Sequence, residues 1–204
     1  MSMSITGNAP QVYGNYSDPA KSREFMLLSL ALPTTPIETH FYANSLSADY
    51  LATYWGKFIP CDKGAASNSS AQVRDAVGFA SNELMENAMK FSTGNINGAI
   101  KVSLYLYDSE LWIYVTNEMY SRNTAKFISF IQRIFTENTS DMYFEQLENN
   151  SRNETSGESG LGILTLINDY GVDLSWKFEA CGDTADVTAI TTLARLPILR
   201  KIEE

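Results

Sequence analysis

The sequence predicts an α+β domain, a two-layer α/β sandwich with helices on one face of a mixed, mainly antiparallel sheet. Three observations carry that reading. Runs rich in β-branched and aromatic residues come in adjacent pairs joined by short turns, as antiparallel hairpins require. Between the pairs lie segments of helical period, the strongest from Gln72 to Phe91, where Val73, Val77, Ala80, Leu84, Ala88 and Phe91 recur over about five turns. At 204 residues with 44% hydrophobic content, the chain suits one domain with a full core and needs no metal or disulfide staple.

The elements follow in order. Residues 1–21 are polar and rich in Gly, Pro, Asn and Ser, which predicts a flexible tail ahead of a single domain over 22–204. "EFMLLSLAL" (Glu24 to Leu32) reads as a strand, "PTTP" as a turn, and "IETHFYANS" (Ile37 to Ser45) as a second strand closing a hairpin. "SADYLATYWGKFI" (Ser47 to Ile59) has the helical period, and "CDKGAASNSSA" is a small-residue loop before the long helix. "STGNING" (Ser92 to Gly98) ends that helix, and "AIKVSLYLYD" and "LWIYVTNEM" form a meander in which polar and apolar residues alternate. Tyr120 to Ser156 differs in character. It holds an amphipathic helix, "NTAKFISFIQRIFTEN", then "SDMYFEQLENN" and a polar run, a length that predicts a lid or interaction insert at about 120–156. "LGILTLINDYG" is a helix ended by Gly171, and "VDLSWKFEA" and "ADVTAITTLARLP" supply the last two strands.

Charge and special residues narrow the function classes. Fifteen Lys+Arg against 24 Asp+Glu leave a net charge of −9, which argues against a nucleic-acid or membrane partner and favours a protein surface. Only Cys61 and Cys181 are present, read as free thiols of a cytoplasmic protein. His40 is the single histidine, expected to be structural, so a histidine-rich zinc site is excluded. No basic leader or long apolar span is expected to direct the chain to a membrane.

Two stretches carry chemistry. In "SNELMENAMKFS", Glu83, Asn87 and Lys90 lie at i, i+4, i+7 and share a helix face, beside an apolar stripe of Leu84, Ala88 and Phe91. A solvated surface helix would read the same way. In "GESGLGILTLINDYG", Gly157, Gly160 and Gly162 run directly into a helix, where bare backbone N–H groups and a helix N-terminus can hold an anion. The spacing is neither the dinucleotide fingerprint nor a Walker loop, and a plain loop is the competing reading.

Taken together, a helix with Glu-x-x-x-Asn, a β-hairpin, a long polar insert and a Gly-Leu-Gly turn opening a helix resemble the nucleotide-binding domain of the GHKL superfamily (gyrase, Hsp90, histidine kinase, MutL). "NELMENAMK" is similar to its N-box and "GESGLGI" to its second glycine box, over about Leu51 to Pro197. The resemblance implies a histidine-kinase-like ATPase fold with ATP and Mg²⁺ as cofactors. It implies that Asn87 holds the metal, that Glu83 acts as the catalytic carboxylate, and that Lys90 with Gly157, Gly160, Leu161 and Gly162 serves the phosphates.

The family's adenine motif, an Asp and two spaced glycines, is replaced here by "VTNEMYSRN". Asn117 stands for the Asp and could accept from the adenine amino group, or it is simply a strand-end turn residue. With no transducer domain and no phosphoacceptor histidine box, the chain looks most like the SiaB-type serine/threonine kinases and anti-sigma factors of bacterial partner switching. The resemblance implies a STAS-like antagonist protein as partner, a PP2C-type phosphatase in opposition and a possible homodimer. Three readings stand: a protein kinase, a nucleotide-gated anti-sigma factor or adaptor, and a pseudo-kinase scaffold.

Overall fold

The computed structural model describes residues 9–31, 37–58, 67–93, 99–152, 160–181 and 186–198. The elements are β1 (Gln11–Tyr13), β2 (Glu24–Ala31), α1 (Ile37–Trp55), α2 (Ser67–Phe91), β3 (Ala99–Leu106), β4 (Glu110–Tyr120), α3 (Ser121–Thr136), α4 (Thr139–Arg152), α5 (Leu161–Asn168), β5 (Asp173–Ala180) and β6 (Val187–Pro197). Six strands form one sheet in the order β1-β5-β6-β4-β3-β2. Every pairing is antiparallel. The α+β, two-layer class expected from the pattern is the one observed.

The sheet's inner face follows from alternation. On β4, Leu111, Ile113, Val115, Asn117 and Met119 are buried in sequence, and on β3 so are Ile100, Val102, Leu104 and Leu106. Helix α2 crosses this face, against β3, β4 and β6, and buries Val77, Ala80, Leu84, Met85 and Ala88. These positions repeat at three to four residues, so one stripe of the helix meets the sheet and the next stripe is left for other work.

Three local expectations change. The segment Ile37 to Ser45, read as a strand, is the first half of α1. Its β-prone composition yields to packing: Asn44, Ala48, Leu51, Ala52 and Trp55 are buried at helical spacing along α1, which lies against α2. Asn44 Nδ2 also donates to the Asn82 carbonyl at 3.4 Å, joining the two helices. The end of the expected small-residue loop is helical too, since α2 begins at Ser67.

The third concerns the N-terminal stretch. Residues 11–13, within the expected tail, form β1 and pair with β5 at one edge of the sheet. β2 lies at the opposite edge, so residues 14–23 must cross the sheet. Five strand spacings come to about 24 Å, within the roughly 33 Å that ten extended residues reach. The crossing runs over the outer face. Tyr114 Oη donates to the Ser17 carbonyl at 2.9 Å, Tyr107 Oη to the Ala20 carbonyl at 3.1 Å, and Ser22 Oγ to the Leu106 carbonyl at 2.7 Å. Arg195 donates to the Asn15 carbonyl and to Ser17 Oγ, and Lys177 pairs with Asp18 at 2.9 Å. Beneath this strap lies an aromatic layer: Tyr16 meets Tyr114 edge-on at 6.2 Å between centroids, and Arg195 sits 4.4 Å over the Trp112 ring.

Candidate functional site

A cavity of about 420 Å³ lies between the sheet and helices α2, α3 and α5. Its walls bring together residues far apart in sequence: Glu83, Glu86, Asn87 and Lys90 from α2, Asn117 from β4, Arg122, Asn123 and Lys126 from α3, and Gly160 and Gly162 from the start of α5. Of the residues expected at a site, Glu83, Asn87, Lys90, Asn117, Gly160 and Gly162 all face it. Leu161 opens α5 between the two glycines but is not on the wall. Gly157 lies outside the described residues, as do Cys61 and the side chain of His40.

Helix α2 presents the polar stripe because its other stripe is committed to the core. Leu84 and Ala88 are buried, and Glu83 and Asn87, one position back, turn to the cavity. Burial raises the Glu83 pKa above the ordinary glutamate value, neighbouring Glu86 raises it further, and Lys90 opposes both. Glu86 is itself engaged, accepting from Asn82 Nδ2 at 2.9 Å.

Helix α5 begins at a left-handed residue. Gly160 has φ +61° as the N-cap, and a β-carbon there would meet the Phe130 ring of α3 at 3.0 Å. Leu164 N donates back to the Gly160 carbonyl at 3.2 Å, which closes the first turn of the helix on its glycine cap. Gly162 is required for a different reason. A β-carbon on it would sit 1.7 Å from Glu83 Oε2 and 2.9 Å from Glu83 Cγ. The Glu83 carboxylate therefore occupies the space beside the first turn of α5, the end of a helix that favours negative charge.

The electrostatics of the cavity run against those of the chain. Overall the protein carries −9, yet the wall holds three cations, Lys90, Arg122 and Lys126, against two carboxylates, Glu83 and Glu86. A local excess of positive charge in an acidic protein makes the cavity more favourable to an anion than the rest of the surface. The deeper wall is apolar, with Leu84, Val115, Met119, Phe127, Ile163 and Ile190. A molecule with a flat uncharged part and a polyanionic part matches that division.

The α3 contribution is the part sequence reasoning did not single out. Arg122 and Lys126 are spaced i, i+4 and lie next to Phe127 and Phe130, which line the same cavity. That basic pair on the apolar edge of an amphipathic helix was the available signal. Helix α3 is fixed over the sheet by Phe127 and Phe135, which meet Trp176 edge-on at 6.3 and 6.1 Å between centroids. Arg133 ties α3 to α4, pairing with Glu137 at 2.7 Å and with Glu145 at 2.5 Å. Helix α4 packs on α5, where Thr139 Oγ1 donates to Asn168 Oδ1 at 2.6 Å.

No protein-family model and no curated protein matches the chain. Among the described residues no helix is long and apolar enough to cross a membrane.

Proposed function

We propose that the cavity binds a purine nucleoside triphosphate and that the chain is an ATP-dependent protein serine/threonine kinase of the GHKL type, acting on a STAS-like antagonist protein in a partner-switching module. One observation carries the reading: the polar stripe of α2 and the glycine turn before α5, separated by about seventy residues in sequence, converge on one cavity whose cations outnumber its carboxylates. A surface helix and an unrelated flexible loop would have no reason to meet.

The residues divide by chemistry. Lys90, Arg122 and Lys126 offset phosphate charge, and the positive end of the α5 dipole, brought to the wall by Gly160 and Gly162, favours the phosphates there. The apolar wall of β4 and β6 takes the base. Oxygen donors suited to a small hard cation are present in Asn87, Glu83 and Glu86, so these residues fit magnesium, which when bound neutralises charge on the phosphates. Glu83 accepts the proton of the attacking serine or threonine hydroxyl as the new oxygen–phosphorus bond forms and the bond to the nucleoside diphosphate breaks. Burial and the neighbouring Glu86 raise its pKa, which makes the carboxylate a stronger base than an exposed glutamate.

The test is direct. Purified protein is incubated with labelled ATP, magnesium and a STAS-domain partner, and the partner is examined for phosphoserine or phosphothreonine. Label transfer supports the kinase. ATP binding without transfer favours the second reading, a nucleotide-gated anti-sigma factor or adaptor, for which the exposed Phe144 (64%) and Leu147 (40%) on α4 offer an apolar contact. Absence of ATP binding removes both.

A further inference from the structure

The inner row of β4 reads Leu111, Ile113, Val115, Asn117, Met119, so a single amide interrupts an otherwise apolar face. Asn117 is only 8% exposed, and its Nδ2 has no hydrogen-bond partner. A buried donor left unpaired carries the full desolvation penalty of the group, and replacing it by an apolar group of similar size would remove that cost. The amide lies on the cavity wall, between Val115 and Met119 and beside Ile190, its partner on β6, with Thr192 one inward position further along that strand. The need it leaves open faces the ligand.

We infer that Asn117 reads the edge of the base and makes this site accept 6-amino and 6-oxo purines alike. The inference rests on the cavity being a nucleotide site and specifies which nucleotides it takes. An amide carries one donor and one acceptor side by side, with no charge, and no hydrogen bond at Nδ2 fixes which way round it sits. Adenine presents an amino donor beside the N1 acceptor, which the amide oxygen and Nδ2 satisfy. Hypoxanthine presents an oxo acceptor beside an N1–H donor, and the same amide satisfies that edge after a half-turn about its terminal bond. An ionised carboxylate in this position could only accept, so it would leave one atom of either edge unmatched. The apolar neighbours supply stacking and shape, which do not separate the two bases.

ATP and ITP differ only at these two atoms of the base and are the probes, with dissociation constants measured for the full chain and for Asn117→Leu. The expected wild-type affinities agree within about threefold, and Asn117→Leu weakens both nucleotides by roughly tenfold or more while its melting temperature is unchanged or higher. ITP binding more than about tenfold weaker than ATP overturns the inference and leaves the nucleotide site standing. Unchanged affinity for both nucleotides in Asn117→Leu overturns it as well. Binding of neither nucleotide by the wild type overturns this inference together with the nucleotide reading. The wild-type comparison needs no variant, so it decides the matter even if Asn117→Leu does not fold.

Discussion

The carboxylate of Glu83 fills the space in which a β-carbon on residue 162 would stand, 1.7 Å from the nearest carboxylate oxygen. Gly162 and Glu83 belong to different helices, and each sets the position of the other. Gly162→Ala therefore cannot be accommodated without moving Glu83. The flexible end of the side chain can swing away, but its Cγ, 2.9 Å from the same point, must shift as well. In the wild-type background the substitution should cost about 1–3 kcal/mol, as overpacking of a close contact does. In a Glu83→Ala background it should be nearly neutral. Chemical denaturation of the four proteins measures the coupling, and additive effects would separate the two residues.

Glu83→Gln tests the environment of the carboxylate without altering its size. Folding raises the Glu83 pKa above its ordinary value of 4.5, because burial and Glu86 disfavour the charge more than Lys90 favours it. The protonated form is the one the fold prefers, so this contribution to stability is fully present below the unfolded pKa and is lost as pH rises through the folded pKa. At neutral pH the glutamine variant should thus melt higher than wild type, and the difference should close as the pH falls below about 4.5. Melting curves across that range decide it; a wild type more stable than the variant at pH 7 would show the carboxylate to be paired rather than stranded. In the transfer assay the same variant should bind ATP within a few-fold of wild type and lose phosphotransfer by on the order of 100-fold.

Asn87→Ala addresses the metal. The side chain lines the cavity and is not part of the hydrophobic core, so the fold should survive. ATP affinity should then become insensitive to magnesium, whereas wild type should bind ATP more tightly with magnesium than without it. Calorimetric titration with and without magnesium is the measurement, and an undiminished magnesium effect in the variant would take the metal away from Asn87.

The outer strap has its own test, independent of any ligand. Tyr114 is buried and donates its hydroxyl hydrogen to the Ser17 carbonyl. Tyr114→Phe keeps the ring contacts with Tyr16, Tyr105 and Trp112 and removes that bond. A loss of about 1 kcal/mol is expected, with faster proteolysis within residues 14–23. Unchanged stability and unchanged cleavage would mean that the hydrogen bond does not hold the strap.

Closure over the nucleotide is expected from α3 and α4, since Arg122 and Lys126 are on the cavity wall and Gln146 of α4 reaches it. Amide exchange in residues 121–152 should slow on addition of ATP with magnesium, while β4 and β6 change little. Equal exchange with and without nucleotide would leave the insert a fixed part of the structure.

The long period from Val73 to Phe91 was enough to place Glu83, Asn87 and Lys90 on one helical face, because helix geometry alone decides which side chains are neighbours at i, i+4 and i+7. The β3–β4 meander was equally legible, since alternation on a half-buried strand is a local property. The reach of α1 back to Ile37 was not. Its first half is β-prone by composition, and only burial of Asn44, Ala48 and Leu51 against α2 makes a continuous helix the better solution. The same holds for β1 and the strap. Polar residues look like a tail until the outer aromatic layer and Arg195 offer partners for their carbonyl groups.

At the site the division is similar. Sequence alone nominated the polar stripe and the glycine turn, each resting on local geometry. That Gly162 must lack a side chain because Glu83 stands beside it, that Arg122 and Lys126 complete the wall, and that Asn117 is buried with an unmatched donor are facts of tertiary approach. Spacing along a chain fixes neighbours within one element, whereas distances between elements are set by how their apolar faces pack.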